Sequence, residues 1–124
     1  MYKVSLISNH KEMINLYTLR GYNYLRDCFN DDGEIKFTRI QKSAALMVIN
    51  KVCFNGLYRV NLKGKFNVPE GRYKNKVFIK DDEILAISKK LPNISNIHCD
   101  EYNKIDVRKN DFVYIDPPYV PLNK

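Results

Sequence analysis

The chain has 124 residues, a formal net charge of +7 and 44% hydrophobic residues, which suits one small globular domain. No run approaches the roughly 18–20 apolar residues of a membrane span, and the N-terminus lacks the charged start and apolar run of a signal peptide. Three cysteines without C-x-x-C spacing argue against a disulfide framework and a zinc site. We therefore expect a soluble, cytoplasmic protein with no membrane association and no metal.

The first half of the chain is predicted to contain one strand followed by helices. Residues 2–8 (YKVSLIS) are apolar and β-branched, which predicts a buried strand. Residues 10–20 and 22–30 show helical spacing of apolar residues and are separated by Gly21. Residues 37–53 predict the clearest helix, with Thr38 as its N-cap.

The next segment, residues 51–80, contains eight basic residues and one acid, so the whole net charge of +7 lies there. Aromatic residues are interleaved with the basic ones, which favours a nucleic-acid surface over a solvated loop. Residues 57–61 and 65–69 are strand-like runs around a three-residue loop, in which Gly64 supplies a positive φ. Pro69 ends the second run or places it at a sheet edge.

The last third is predicted to contain a helix and two strands. Residues 81–91 form an amphipathic helix with acids in the first turn and lysines in the last, as the helix dipole favours. Residues 93–99 and 112–115 are read as strands, with His98, Cys99 and Asp100 as incidental polar residues at a strand end. This order of elements suits an open α/β sheet with an insertion, in which ligands bind beyond the carboxyl ends of the strands.

Four candidate catalytic residues, Asp116–Tyr119 (DPPY), follow the final predicted strand. A base amine is a poor nucleophile because its lone pair is delocalised into the ring, and acceptors on its N–H groups free that pair. The Asp116 carboxylate and the Pro117 carbonyl can be these acceptors, held by the fixed φ of Pro117 and Pro118. Tyr119 can stack on a base flipped out of the duplex. The alternative is an ordinary turn after a strand.

Two motifs together carry a family resemblance. "TRIQKSAALMVINKVCFNGLYRVNLKGKFNVPEGRYKN", followed by "DFVYIDPPYVPL", resembles the DNA adenine methyltransferase (Dam) family over most of residues 8–124. These enzymes transfer a methyl group from S-adenosylmethionine to N6 of adenine, typically in GATC, and include enzymes of restriction-modification. The resemblance implies an α/β fold: a partial Rossmann-like methyltransferase sheet with an inserted helical and β-hairpin target-recognition region.

The resemblance also implies roles for individual residues on double-stranded DNA. Arg59 matches an arginine that reads a guanine edge, Asn55 a residue that enters the space of the flipped adenine, and Phe54 an aromatic beside it. Leu57 and Pro69 match apolar contacts to the thymine methyl group. The remaining implied DNA contacts, mainly to phosphates, are Lys63, Lys65, Arg72, Tyr73 and Lys74. Asn55 and Tyr73 have an alternative reading as turn and packing residues. The catalytic residues implied are Asp116, Pro117, Pro118 and Tyr119.

The cofactor side departs from the family pattern. The family's glycine-rich F-x-G segment has no counterpart, and Ser8 occupies the position of the aspartate that binds the cofactor ribose. Ser8 and Asp116 are the expected cofactor-binding residues, although a serine cannot accept two hydrogen bonds as an anion. We expect three parts: a partial cofactor-side segment (1–36), a target-recognition helix and hairpin (37–80), and catalytic-side strands (81–124).

These departures predict a truncated methyltransferase without measurable activity as an isolated chain. Two alternatives remain open. The chain is either a non-catalytic DNA-binding module, or one part of a split enzyme whose companion chain supplies the glycine-rich cofactor strand.

Overall fold

The computed structural model of the protein describes residues 2–94 and 97–116, in two compact units, Met1–Asn93 and Ile94–Lys124. The first unit contains four helices: α1 (Tyr2–Arg20), α2 (Tyr22–Phe29), α3 (Arg39–Val52) and α4 (Asp81–Lys90). Short 3₁₀ turns follow at Phe54–Gly56, Leu91–Asn93 and, in the second unit, Tyr102–Lys104. None of the helices in the described ranges has the length and apolar character needed to cross a membrane.

The predicted strand at residues 2–8 is wrong, because this segment forms the first two turns of α1. The physical reason is the spacing of the side chains that face the core. Leu6 packs against the core, and His10, Met13 and Tyr17 are buried, which is a helical stripe from Leu6 to Tyr17 along α1. A short apolar run does not by itself distinguish a strand from a helix.

The other helices of the first unit agree with the sequence predictions. Gly21 separates α1 from α2, and α3 begins after Thr38, whose Oγ1 accepts a hydrogen bond from the Gln41 backbone N–H at 3.3 Å. The Gln41 side chain accepts in return from the Thr38 N–H at 2.9 Å, so the predicted N-cap is a full capping box. Helix α3 packs against α1 and α2 through a buried face: Ala44, Ala45, Val48, Ile49 and Val52.

Helix α4 also agrees with its prediction. Its first turn holds Asp81, Asp82 and Glu83, and its last turn holds Lys89 and Lys90. The Glu83 carboxylate accepts a hydrogen bond from the Lys80 backbone N–H at 2.8 Å, which caps the start of the helix. Lys11 of α1 forms an ion pair with Asp81 at 2.6 Å and so links the two helices.

The predicted sheet is not formed among residues 2–94 and 97–116. These ranges contain two isolated antiparallel bridges, Cys53↔Glu70 and Val60↔Phe66, and no extended strand. Residues 112–115 are irregular and exposed, with Phe112 at 93% exposure. A run of four apolar residues forms a strand only when neighbouring strands pair with its backbone, and the sequence pattern does not show whether such neighbours are present.

Candidate nucleic-acid interface

The hairpin at residues 57–69 has the turn that the sequence predicts. The Asn61 backbone N–H donates to the Lys65 carbonyl at 2.9 Å, which closes a three-residue loop, and Gly64 has a φ of 73°. The Asn61 side-chain oxygen also accepts from the backbone N–H groups of Lys63 (2.9 Å) and Lys65 (3.1 Å). An asparagine that satisfies two loop N–H groups makes this turn stiff.

The second limb of the hairpin is fixed to the helices by alternate residues. Phe66 and Val68 are only 2% and 1% exposed. The Asn30 side chain at the end of α2 donates to the Phe66 carbonyl at 2.9 Å and accepts from the Phe66 N–H at 2.8 Å. The Tyr22 hydroxyl donates to the Val68 carbonyl at 2.8 Å, and burial raises the pKa of Tyr22. The limb is therefore held without a continuous strand partner.

Because side chains alternate along an extended limb, the residues between these anchors point away from the core. Asn67 and Pro69 are exposed. On the first limb, Leu57 and Arg59 are exposed as well. The Arg59 Nε donates to the Asn67 side-chain oxygen at 2.8 Å, and its Nη2 donates to the Asn67 backbone carbonyl at 3.2 Å.

Between α3 and the hairpin, a tight turn presents Phe54 and Asn55. Asn55 and Gly56 both have positive φ, 52° and 60°, a conformation that asparagine and glycine tolerate best. The turn is held by the Phe54 N–H, which donates to the Pro69 carbonyl at 2.9 Å, and by the Asn50 side chain, which donates to the Gly56 carbonyl at 2.8 Å. The Phe54 ring is 50% exposed. Asn55 is thus a turn residue, and its side chain is also exposed beside an aromatic ring.

A cleft of about 580 Å³ lies between this turn and the segment that follows the hairpin, lined by Phe54, Asn55, Pro69, Glu70, Gly71, Arg72 and Tyr73. Five of these seven residues were predicted to contact DNA. We call the exposed surface formed by Phe54, Asn55, Leu57, Arg59, Asn67, Pro69, Arg72 and Tyr73 the hairpin face. From the sequence, Asn67 and Gly71 were not singled out, and Glu70 was noted only as the one acid of residues 51–80.

The backbone of Gly71 determines the position of the Tyr73 ring. A Cβ atom at residue 71 would lie 2.3 Å from Cε2 of Tyr73 and 3.0 Å from the Cys53 carbonyl oxygen. The Tyr73 hydroxyl donates to that same carbonyl at 3.2 Å. A small residue at 71 therefore lets the ring lie against the backbone while its outer face lines the cleft. Tyr73 has a packing role, in agreement with one of its two predicted readings.

The single acid of residues 51–80, Glu70, is neutralised within the fold. Its carboxylate accepts hydrogen bonds from the Tyr17 hydroxyl at 2.6 Å and from the Lys76 ammonium at 2.7 Å. Partial burial opposes the charged form, but these two donors outweigh it and lower the pKa of Glu70. The pKa of Lys76 is raised by its hydrogen bond to Glu70. This cluster fixes the segment after the hairpin to α1.

The basic residues predicted to contact phosphates differ in their surroundings. Lys63, Arg72 and Lys74 are exposed. Lys65 is half-buried and forms an ion pair with Asp32, so part of its charge is already compensated. The three exposed residues place positive charge on the hairpin face (Arg72) and near it in the chain (Lys63 and Lys74), and positive charge attracts a polyanion such as DNA.

The residues predicted for catalysis and cofactor binding fall in different parts of the chain. Ser8 lies in α1 and is exposed, so the strand end that gave it a cofactor role is absent. Ser8 does not line the cleft beside Phe54. It also does not line a second, apolar groove of the first unit, whose lining includes Leu6, Met47 and Ile84. Asp116 belongs to the second unit and is exposed, and Pro117, Pro118 and Tyr119 lie outside the described residues. Within the described ranges, no group of three or more His, Cys, Asp or Glu side chains is placed to hold a metal ion.

Several proteins with named activities are similar in sequence to this chain. The Type II methyltransferase M.MjaIII of Methanocaldococcus jannaschii is 44% identical over 105 residues, which are 83% of this chain and 36% of that protein. The Type II methyltransferase M1.LlaDCHI of Lactococcus lactis subsp. cremoris is 39% identical over 98% of this chain and 43% of that protein. The DNA adenine methylase of Serratia marcescens is 31% identical over 92% of this chain and 49% of that protein.

The chain thus spans between a third and a half of the length of these relatives. Residues 3–124 also match the family described as D12 class N6 adenine-specific DNA methyltransferase. This match confirms the resemblance that the two sequence motifs predicted. Since it covers nearly the whole sequence, the chain belongs to the D12 class N6 adenine-specific DNA methyltransferase family.

Proposed function

We propose that this chain acts in the N6 methylation of adenine in double-stranded DNA, and that the hairpin face is the surface that reads the duplex. The observation that carries the proposal is the anchoring of this face. Phe66 and Val68 are buried beneath it, and Asn30 and Tyr22 hold the backbone at these positions. A surface fixed in this way presents its side chains to a major groove without first having to be ordered.

The side chains of the hairpin face suit base-edge recognition in a GATC-like target. A guanidinium binds O6 and N7 of guanine through two parallel N–H groups, which is the proposed role of Arg59. Leu57 and Pro69 are exposed apolar groups of the kind that contact a thymine methyl group. Asn55, with Phe54 beside it, is proposed to fill the space left by a flipped adenine.

The phosphate contacts are proposed to come from the exposed basic residues Lys63, Arg72 and Lys74, with a smaller contribution from the paired Lys65. Such contacts give affinity that falls with salt but carry no sequence information. Tyr73 is proposed to contact the DNA backbone from its place at the edge of the cleft.

For the chemical step, we propose that Asp116 accepts one N–H of the adenine amine and that the Pro117 carbonyl accepts the other. Enzymes of this family use S-adenosylmethionine as the methyl donor. Ser8 is exposed on α1 and lines neither of the two grooves described above. The proposed roles of Asp116 and Pro117 in this step concern the adenine amine, and the expected cofactor contact of Asp116 stays a prediction.

Binding and methyl transfer are tested separately. The chain is titrated with a GATC duplex and a scrambled duplex over a range of salt concentrations. We expect tighter binding to GATC, and Lys63→Ala is expected to weaken binding to both duplexes and reduce the salt slope by about 1. Equal affinity of the wild-type chain for the two duplexes would contradict the proposed sequence reading.

Methyl transfer is measured as N6-methyladenine formed from S-adenosylmethionine, first by the chain alone, where none is expected, and then with a companion chain that carries a glycine-rich cofactor segment. Where the wild-type chain is active, Asp116→Asn is the inactive variant and Asp106→Asn is the matched control at another exposed acid. Loss of methylation in Asp116→Asn alone supports the catalytic role.

A non-catalytic DNA-binding module is the second candidate, because the hairpin face is complete within the first unit. Specific binding without methyl transfer would favour it. Methyl transfer that appears only after a companion chain with a glycine-rich cofactor segment is added would favour a split enzyme.

A further inference from the structure

The interaction between Arg59 and Asn67 bears on how guanine is read, and its meaning rests on the function proposed above for Arg59. The two residues face each other across the hairpin, where the Asn67 N–H donates to the Arg59 carbonyl at 3.1 Å. Their side chains are also joined, since Arg59 donates from Nε to the Asn67 amide oxygen and from Nη2 to the Asn67 carbonyl. All these contacts lie on the exposed side of the hairpin.

A guanidinium has five N–H donors in a plane, arranged as two usable edges. The side edge is formed by Nε and Nη2, and it is the edge that Asn67 occupies, at 2.8 Å and 3.2 Å. The end edge is formed by Nη1 and the second hydrogen of Nη2. The contacts to Asn67 leave this end edge available, with two parallel N–H groups.

We propose that Asn67 is a positioning residue that selects which edge of Arg59 meets the DNA. It binds the side edge, so that the end edge is presented for the O6 and N7 acceptors of guanine. A free arginine loses considerable rotamer freedom when it makes a bidentate contact. An arginine already held at its side edge loses less on binding, which raises both affinity and discrimination.

The position of Asn67 itself is determined by its neighbours. Phe66 and Val68 on either side of it are buried. The backbone at Phe66 is held by Asn30 and that at Val68 by Tyr22. Asn67 therefore stands on an anchored part of the hairpin, and its backbone carbonyl and side-chain oxygen are both acceptors for the Arg59 guanidinium.

The test uses the full chain and two duplexes: one with GATC, and one in which both guanines are replaced by 7-deazaguanine. That base keeps its Watson–Crick pairing but lacks the N7 acceptor. The measured quantity is the ratio of the two dissociation constants. In the wild-type chain we expect a ratio of about ten, as one good base contact provides, and in Arg59→Ala a ratio near one.

Asn67→Ala is expected to reduce the ratio about fivefold, since the Nε partner is lost. Asn67→Asp keeps the side-chain acceptor, so it should keep the ratio while its added negative charge weakens binding to both duplexes. Asn23→Ala is the matched control, because Asn23 is exposed on α2, and it should leave the ratio unchanged.

A double variant separates positioning from direct contact. If Asn67 acts through Arg59, Asn67→Ala has no further effect on the ratio in an Arg59→Ala background. If Arg59→Ala instead kept a ratio well above one, and Asn67→Ala then lowered that ratio, Asn67 would contact N7 of guanine by itself and the inference would be overturned. The side-chain Nε–H of Arg59 gives an independent readout in the free chain, since its exchange with solvent should become faster in Asn67→Ala.

Failure of the positioning role is distinguishable from failure of the proposed function. A wild-type ratio of ten that is unchanged in Asn67→Ala would overturn the positioning role and leave the guanine contact of Arg59 in place. A wild-type ratio of one would overturn the proposed guanine contact, and the positioning role with it.

Discussion

The hydrogen bonds between Asn30 and the Phe66 backbone predict a large effect of a small substitution. The Asn30 amide donates to the Phe66 carbonyl at 2.9 Å and accepts from the Phe66 N–H at 2.8 Å, so it replaces a strand partner at a residue whose side chain is buried. Asn30→Ala removes both partners at once. It leaves a backbone donor and a backbone acceptor without a hydrogen bond in a part-buried position.

The magnitude follows from the number of groups affected. Each hydrogen bond contributes about 1 kcal/mol net, and a buried group left without a partner costs about 1–3 kcal/mol. Because the backbone groups of Phe66 that bond to Asn30 are only partly buried, we expect Asn30→Ala to lower the free energy of unfolding by roughly 2 kcal/mol. At about 4 °C per kcal/mol for a chain of this size, the melting temperature should fall by roughly 8 °C.

The assay is urea unfolding, with hydrogen exchange of the Phe66 amide as a local readout. Asn75→Ala is a matched control at an exposed asparagine outside the helices, and it should change the free energy of unfolding by less than about 0.5 kcal/mol. If Asn30→Ala changed the free energy of unfolding by less than about 0.5 kcal/mol and left the exchange protection of the Phe66 amide unchanged, the proposed anchoring role of Asn30 would be refuted.

Three further predictions concern the first unit. His10 is 1% exposed and its Nε2 has no hydrogen-bond partner among the described residues; burial lowers its pKa from 6.5, so the unfolded chain binds the proton more readily. The stabilisation contributed by neutral His10 should therefore be fully present above about pH 6.5 and should decrease as the pH falls toward the lower pKa of the folded state. If the free energy of unfolding of a His10→Leu variant decreased by the same amount between pH 7 and 5, this prediction would be contradicted. Gly71→Ala should cost about 1–2 kcal/mol by urea unfolding, since the new Cβ would overlap the Tyr73 ring; stability equal to that of the wild type would show that the ring moves without cost. Thr38→Ala should cost about 1 kcal/mol while Thr38→Ser, which keeps the cap, stays within a few tenths, and equal losses in both variants would argue against the capping box.

Local sequence signals determine several elements of the fold. Thr38 as an N-cap, the acidic first turn and basic last turn of α4, and Gly64 in a three-residue loop were all predicted and are all present. Each depends on interactions within a few residues of the chain, so the sequence contains the whole cause. The family was also determined in this way, because two motifs of fixed residue order identified it.

Predictions that required distant partners were less successful. The segment 2–8 forms helix α1 because its apolar positions continue the stripe that packs on α3, whereas its composition alone favoured a strand. Apart from the half-buried Lys65, the predicted DNA-contacting residues are exposed, and they are grouped around one hairpin, but the sequence did not show what holds that hairpin in place.

Asn30, Tyr22 and Asn67 gave no signal in the sequence. Asn30 reaches the hairpin across 36 residues and Tyr22 reaches it across 46, while Asn67 meets Arg59 only because the chain turns between them. Their polar atoms have partners because the tertiary structure brings distant backbone groups within hydrogen-bonding distance. The sequence by itself determined the family and the local turns and caps. The tertiary structure alone decided which side chains anchor the hairpin face and which edge of the Arg59 guanidinium Asn67 occupies.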